Sequence, residues 1–160
     1  MDSTTLGVAR TPVRGYMGQM AMQGVEFFRA GQQLLAILVR ESASSDSKYN
    51  FLTEQSEPLQ LGVNFYRAGD AIESHTHLPR DIQIDRVQEV LVIGKGKTRL
   101  TLFDDERRQV AETVLTKGDL VLLLSGGHGF EILEDTKILE VKQGPYDGKK
   151  QDKVPFSELD

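Results

Sequence analysis

Gln60-Leu61-Gly62-Val63-Asn64-Phe65-Tyr66-Arg67 alternates strictly. Leu61, Val63 and Phe65 fall on one face; Gln60, Gly62, Asn64 and Tyr66 fall on the other. A period of two is that of a strand with one face buried. On the C-terminal side Ala68-Gly69-Asp70 forms a turn, and further strand-like runs follow at residues 86–93, 98–103, 110–115, 120–124, 130–133 and 138–143. Between them lie Gly94-Lys95-Gly96, Asp104-Asp105-Glu106, Lys117-Gly118-Asp119 and Gly126-Gly127, all with turn chemistry. On the N-terminal side, residues 25–28 and 34–40 read as strands, and residues 41–48 as a polar, Ser-rich loop. No stretch sustains a helical period beyond about three turns. Many short strands at this spacing predict an all-β sandwich or barrel.

The bulk numbers suit one domain. The chain has 160 residues, 39% hydrophobic and 27% charged, enough for a single sizeable core. A net charge of -5 argues against nucleic acid as a partner, because phosphate binding needs a basic face, and against adsorption to an anionic membrane. With no cysteine, disulfides, thiolate metal ligands and thiol nucleophiles are excluded. The apolar runs at 34–39 and 120–124 fall far short of the ~20 residues that span a bilayer. Residues 1–20 lack the apolar core of a signal peptide, so a cytoplasmic location is expected. They read as an arm, either free or packed on a second subunit. Residues 21–146 form the domain, and 147–160 a polar tail on the surface.

The chain owns three histidines. Two stand as His75-Thr76-His77; the third, His128, comes about fifty residues later. On a strand, side chains at i and i+2 share a face, so two imidazoles could lean toward one ion at about 2.1 Å. Glu89 heads the apolar run 90–93, which leads to Gly96; Gly118-Asp119 opens another apolar run, followed by His128-Gly129-Phe130. Each segment therefore carries imidazole near an expected strand end.

These residues resemble the two motifs of the cupin superfamily. Gly69, His75, His77, Glu89 and Gly96 match the first, with an inserted stretch at about 78–87. Gly118, Gly126 and His128 match the second, with Leu124 where proline is usual and Ile132 where asparagine is usual. The run 138–146 is similar to the closing segment of small bacterial cupin-domain proteins. The resemblance implies a cupin fold, a double-stranded β-helix or jelly-roll barrel. It also implies one divalent metal ion held by His75, His77, Glu89 and His128. Glu73, Asp81 and Asp85 are competing carboxylates.

Three imidazoles and one carboxylate suit Fe, Mn, Ni or Zn. Such a centre serves a metal-dependent enzyme acting on a small polar metabolite by oxygenase, sugar-type isomerase or lyase chemistry. It serves equally a non-catalytic cupin that captures or senses a small ligand. Gln60, Asn64, Tyr66, Arg99, Glu140 and Lys142 are candidate substrate contacts. Gln60, Asn64 and Tyr66 line a cavity or face water, depending on which side of their strand packs. Glu140 and Lys142 share a strand face. The runs 90–93 and 120–124 are apolar on both faces, which calls for cover. A homodimer supplies it, or the chain's own N-terminal region does.

Overall fold

In a computed structural model, residues 22–146, 148 and 153–158 are described; the expected arm lies outside them. They contain no α-helix, and ten strands follow one another: β1 (Gln23–Ala30), β2 (Gln33–Ser44), β3 (Tyr49–Phe51), β4 (Gly62–Asn64), β5 (Glu89–Lys95), β6 (Lys97–Phe103), β7 (Gln109–Thr116), β8 (Leu120–Leu123), β9 (Gly127–Ile132) and β10 (Lys137–Lys142). A five-stranded sheet runs β1-β2-β8-β5-β10, a three-stranded sheet runs β7-β6-β9, and β3 pairs with β4. Every pairing is antiparallel. The fold is thus all-β, and among the described residues the sheets do not close into a barrel.

One core lies between the two larger sheets. Leu91 and Ile93 of β5 and Leu35 and Leu38 of β2 meet Leu100 and Leu102 of β6 and Leu115 of β7. A second core lies on the far face of the five-stranded sheet, where Ile37, Leu122 and Leu124 pack against Leu52, Leu59, Leu61 and Val63. The doubly apolar runs are therefore covered within the chain. Among the described residues, that cover comes from β4 and the segment leading into it. Burying each of these side chains stabilises the fold by roughly 1.5–3 kcal/mol before ordering costs.

The alternation around Val63 holds, although the paired strand is only Gly62–Asn64. Leu61 is buried and Val63 and Phe65 half-buried, while Gln60, Asn64 and Tyr66 are exposed. The choice left open for the polar set is thus decided for solvent. The expected loop 41–48 is shorter than its composition suggested, since β2 continues to Ser44.

Two local devices fix the frame. Asp119, 3% exposed, accepts hydrogen bonds from the backbone N–H groups of Thr116 (2.9 Å) and Glu41 (3.0 Å) and from Arg40 Nη1 (3.1 Å). Arg40 in turn donates to Glu26 Oε1 at 2.8 Å. The turn into β8 is thereby tied to β2 and β1. Gly126, at φ 70°, opens β9. A Cβ there would sit 2.3 Å from the Phe103 carbonyl oxygen, so only glycine lets β9 start so close to the end of β6.

Candidate functional site

Glu89 is the first residue of β5 and His128 the second of β9, so they come from opposite sheets. Parity explains their meeting. Glu89 shares the inward face of β5 with Leu91 and Ile93, and His128 lies opposite Leu102 on the inward face of the small sheet. Where the hydrophobic layer ends, the next inward positions are this carboxylate and this imidazole. Glu89 Oε2 lies 3.5 Å from His128 Nε2. The residue before Glu89 is pinned: the Gln88 backbone N–H donates to Gln143 Oε1 at 2.8 Å, and its Nε2 donates to Glu57 Oε2 at 2.7 Å.

Glu140 and Lys142 join the pair from β10, which runs beside β5 with Lys142 opposite Glu89. The Lys142 ammonium is 3.7 Å from Glu89 Oε1 and 3.2 Å from Glu140 Oε1, and it lies 5.1 Å from the centre of the Tyr146 ring. One lysine thus bridges two carboxylates at the mouth of the core. A third of the His128 side chain is exposed. Even so, desolvation of the ring dominates and holds its pKa below the ordinary 6.5, with Lys153 pushing the same way and Glu89 and Glu140 pushing against. An uncharged imidazole keeps a lone pair for a ligand.

His75 and His77 are placed differently. They lie in an exposed stretch without strand pairing, residues 66–87, and not on a strand end as expected. Their rings stand edge to face, with centroids 5.2 Å apart. His75 Nδ1 is 2.8 Å from the Glu73 carbonyl oxygen. A carbonyl only accepts, so Nδ1 carries the proton and Nε2 keeps its lone pair for an ion, the usual arrangement of a metal-binding histidine. The four expected ligands therefore stand as two pairs. Among the described residues no group of three or more His, Asp and Glu side chains is gathered as an ion's ligands would be. The donor types fit a divalent ion; their grouping in this conformation does not. The competing carboxylates Glu73 and Asp81 are exposed, and Asp85 pairs with Arg86 at 3.2 Å.

The remaining candidates separate cleanly. Arg99 projects from the outward face of β6, where it pairs with Glu112 at 3.2 Å and with Glu131. It is a solvent-side ion cluster, apart from the Glu89–His128 pair. Gln60 Nε2 donates to the carbonyls of Glu54 and Glu57, both at 2.8 Å, and so closes a turn. Tyr66 packs edge to face on Tyr49 with centroids 6.0 Å apart. Asn64 sits on β4 in solvent. Of the six candidate contacts, only Glu140 and Lys142 reach the pair.

Two features lay outside the sequence reading. A cleft of about 490 Å³ opens on the other side of Gln88, lined by Gln33, Glu57, Gln83, Asp85, Arg86 and Ser125; its members are scattered in sequence, and no motif joins them. The second is Phe156, whose ring packs edge to face on Phe103 with centroids 5.1 Å apart. A lone aromatic in a polar tail was the available signal. Among the described residues no helix is long and apolar enough to cross a membrane. No protein-family model matches this chain, and searches of curated proteins and of solved structures find no match either.

Proposed function

We propose that this chain is a metal-binding cupin. Glu89 and His128 form the fixed half of a site for one divalent ion, and His75 and His77 are the half carried by the loop 66–87. The observation that carries this reading is the 3.5 Å approach of Glu89 to His128 across two sheets. Supporting it, His75 Nδ1 is occupied by a carbonyl, which leaves Nε2 available.

The loop has the reach the reading needs. Twelve residue steps separate His77 from Glu89, up to about 40 Å when extended. Bringing the two pairs together costs loop-closure entropy that grows only slowly with length, and metal binding free energy offsets such ordering costs. When bound, the ion would polarise a carbonyl or acidify water. In the enzyme form of the proposal, Lys142 and Glu140 orient a small polar metabolite beside it, for oxygenase, isomerase or lyase chemistry. The jelly-roll arrangement and a homodimer belong to the same proposal. Leu139 and Val141, exposed on the edge strand β10, are the apolar surface a second copy would cover.

A second reading is favoured by Lys142. Its ammonium lies between Glu89 and Glu140, so Glu89 already has a positive partner without a metal. On that reading the protein binds a small ligand and does not turn it over.

Limited trypsinolysis, followed peptide by peptide in a mass spectrometer, tests the metal reading. Arg80 and Arg86 are the cleavage points between His77 and Glu89. Zn²⁺ or Mn²⁺ should protect both by about tenfold or more, and His75→Ala should abolish the protection. Equal cleavage with and without metal would count against a loop that closes on an ion.

A further inference from the structure

Antiparallel pairing brings the start of β2, the end of β8 and the start of β5 to one end of the large sheet. Successive residues there face opposite ways. Glu89 turns toward the core between the sheets; Gln88, one step back, has the parity of Val90, which packs on the far-face core. The cleft of about 490 Å³ begins where that second core ends, and Gln88 lines it together with Leu124. Glu57, Asp85 and Arg86 form other parts of the wall. They come from segments that pair with no strand, so the rim can adjust to a guest.

Gln88 is 1% exposed, and its side-chain oxygen Oε1 is buried without a hydrogen-bond partner. Turning the amide over does not mend this. Nε2 donates to Glu57 Oε2 at 2.7 Å, and a reversed amide would set its oxygen against a carboxylate, acceptor against acceptor. The unpartnered group is therefore an acceptor, and leaving it so costs stability. Glu57 is held by its own turn: its N–H donates to the Glu54 carbonyl at 3.1 Å, and its carbonyl accepts Gln60 Nε2 at 2.8 Å. Among the described residues Glu57 makes no ion pair, whereas Arg86 is matched by Asp85 at 3.2 Å. Donors of the lining are directed elsewhere, Gln33 Nε2 to Asp105 Oδ2 at 3.0 Å and Ser125 Oγ to the Leu34 carbonyl at 2.8 Å. The cleft thus holds two carboxylates against one guanidinium, and it lacks donors rather than acceptors.

We propose that this cleft binds a small organic cation carrying N–H groups, an ammonium or a guanidinium, which donates to Gln88 Oε1 and pairs with Glu57. The positive charge matches the carboxylate that has no cation, and the N–H matches the oxygen that has no donor. An anion meets neither need. The hydrogen bond between Gln88 and Glu57 sets the two acceptors side by side, and an ammonium with three N–H groups or a guanidinium fork has donors for both. The site is separate from the Glu89–His128 pair and needs no metal there.

The test uses the full-length protein at one fixed, neutral pH, with ethylammonium, methylguanidinium, tetramethylammonium and acetate as probes. The readout is the NMR signals of the Gln88 side-chain amide and the Ser125 backbone amide. Ethylammonium or methylguanidinium should shift both signals saturably, and acetate should not; whichever cation binds more tightly names the head group. Tetramethylammonium carries the charge without an N–H and should bind about tenfold more weakly, the effect of one charge-assisted hydrogen bond. Glu57→Gln keeps an acceptor for Gln88 Nε2 but removes the charge, and it should weaken the preferred cation by about tenfold or more. Gln88→Leu, followed at Ser125, should do the same; if it does not fold, Glu57→Gln and the tetramethylammonium comparison still decide. His128→Ala should bind the cation as the wild type does, which separates this cleft from the metal reading. No saturable shift with either N–H cation would overturn the proposal. So would tetramethylammonium binding as tightly as they do, or binding that Glu57→Gln leaves unchanged. Loss of binding in His128→Ala would place the cation at the Glu89–His128 pair and overturn it as well.

Discussion

Glu89 Oε2 and His128 Nε2 stand 3.5 Å apart, the closest link between the opening residue of β5 and the second residue of β9. Glu89 is the inward position next to buried Leu91 on β5, and His128 stands directly across from buried Leu102 of β6. The polar pair is thus an end cap on the hydrophobic layer, half shielded and reachable from one side. The imidazole should titrate below the ordinary value of 6.5, because desolvation opposes its charge more strongly than Glu89 and Glu140 favour it. The unfolded chain then takes up the proton first. Stability is full above about pH 6.5 and declines as the pH falls from there toward the lowered value in the fold; below that value nothing more is lost. Urea titrations from about pH 8 down to about pH 5 should show this slope in the wild type and a smaller one in His128→Gln. Identical slopes would contradict the assignment.

Asp119 gathers donors from β2 and from the end of β7, and its side chain is almost wholly buried. Asp119→Ala leaves the Thr116 and Glu41 N–H groups unsatisfied and Arg40 with one carboxylate fewer. We expect a loss of about 2–4 kcal/mol, read as a lower urea midpoint with an unchanged slope. A loss under about 1 kcal/mol would mean that water replaces the carboxylate easily.

Asp104 is held ionised by its neighbours. Its Oδ1 accepts the Arg108 backbone N–H at 2.9 Å and its Oδ2 the Arg108 side chain. These contacts, the backbone one foremost, hold its pKa below 3.8. A lowered carboxylate stabilises the fold above the unfolded value and loses that contribution as the pH falls through the folded one. Asp104→Asn should therefore be less stable than wild type at neutral pH, and the gap should narrow below about pH 4.

Leu61 tests how the far face of the large sheet is covered. It is 8% exposed, against Ile37, Leu122 and Leu124. Leu61→Ala should cost about 2–4 kcal/mol and leave the sedimentation behaviour of the protein unchanged. If the substitution costs almost nothing, another surface does the covering.

Much of this architecture was legible beforehand because it depends on local period. The alternation about Val63 and the apolar runs that became β5, β6, β8 and β10 needed no knowledge of partners. Pairing was not legible. Period two tells which residues share a face, yet it does not say that the large sheet would be covered on its far side by Leu52, Leu59 and Leu61. β3 escaped notice, since Tyr49-Asn50-Phe51 is too short to show a period. At the site, Glu89 and His128 were legible as strand-end groups. His75 and His77 have the i, i+2 spacing of a strand, but among the described residues the segment around them pairs with no strand, and its apolar side chains Ile72, Leu78, Ile82 and Ile84 stay exposed. Phe156 was hidden because one aromatic among charges has no pattern.

The central claim is that two residue pairs, one fixed and one on a loop, take a single ion. Metal content per chain, measured after anaerobic purification, tests it most directly in the wild type, in the Glu89→Gln/His128→Ala double variant and in the His75→Ala/His77→Ala double variant. The account predicts about one equivalent of Fe, Mn, Ni or Zn in the wild type and little in either double variant, each of which should remain folded. Equal metal in all three proteins, or none in the wild type, would contradict it.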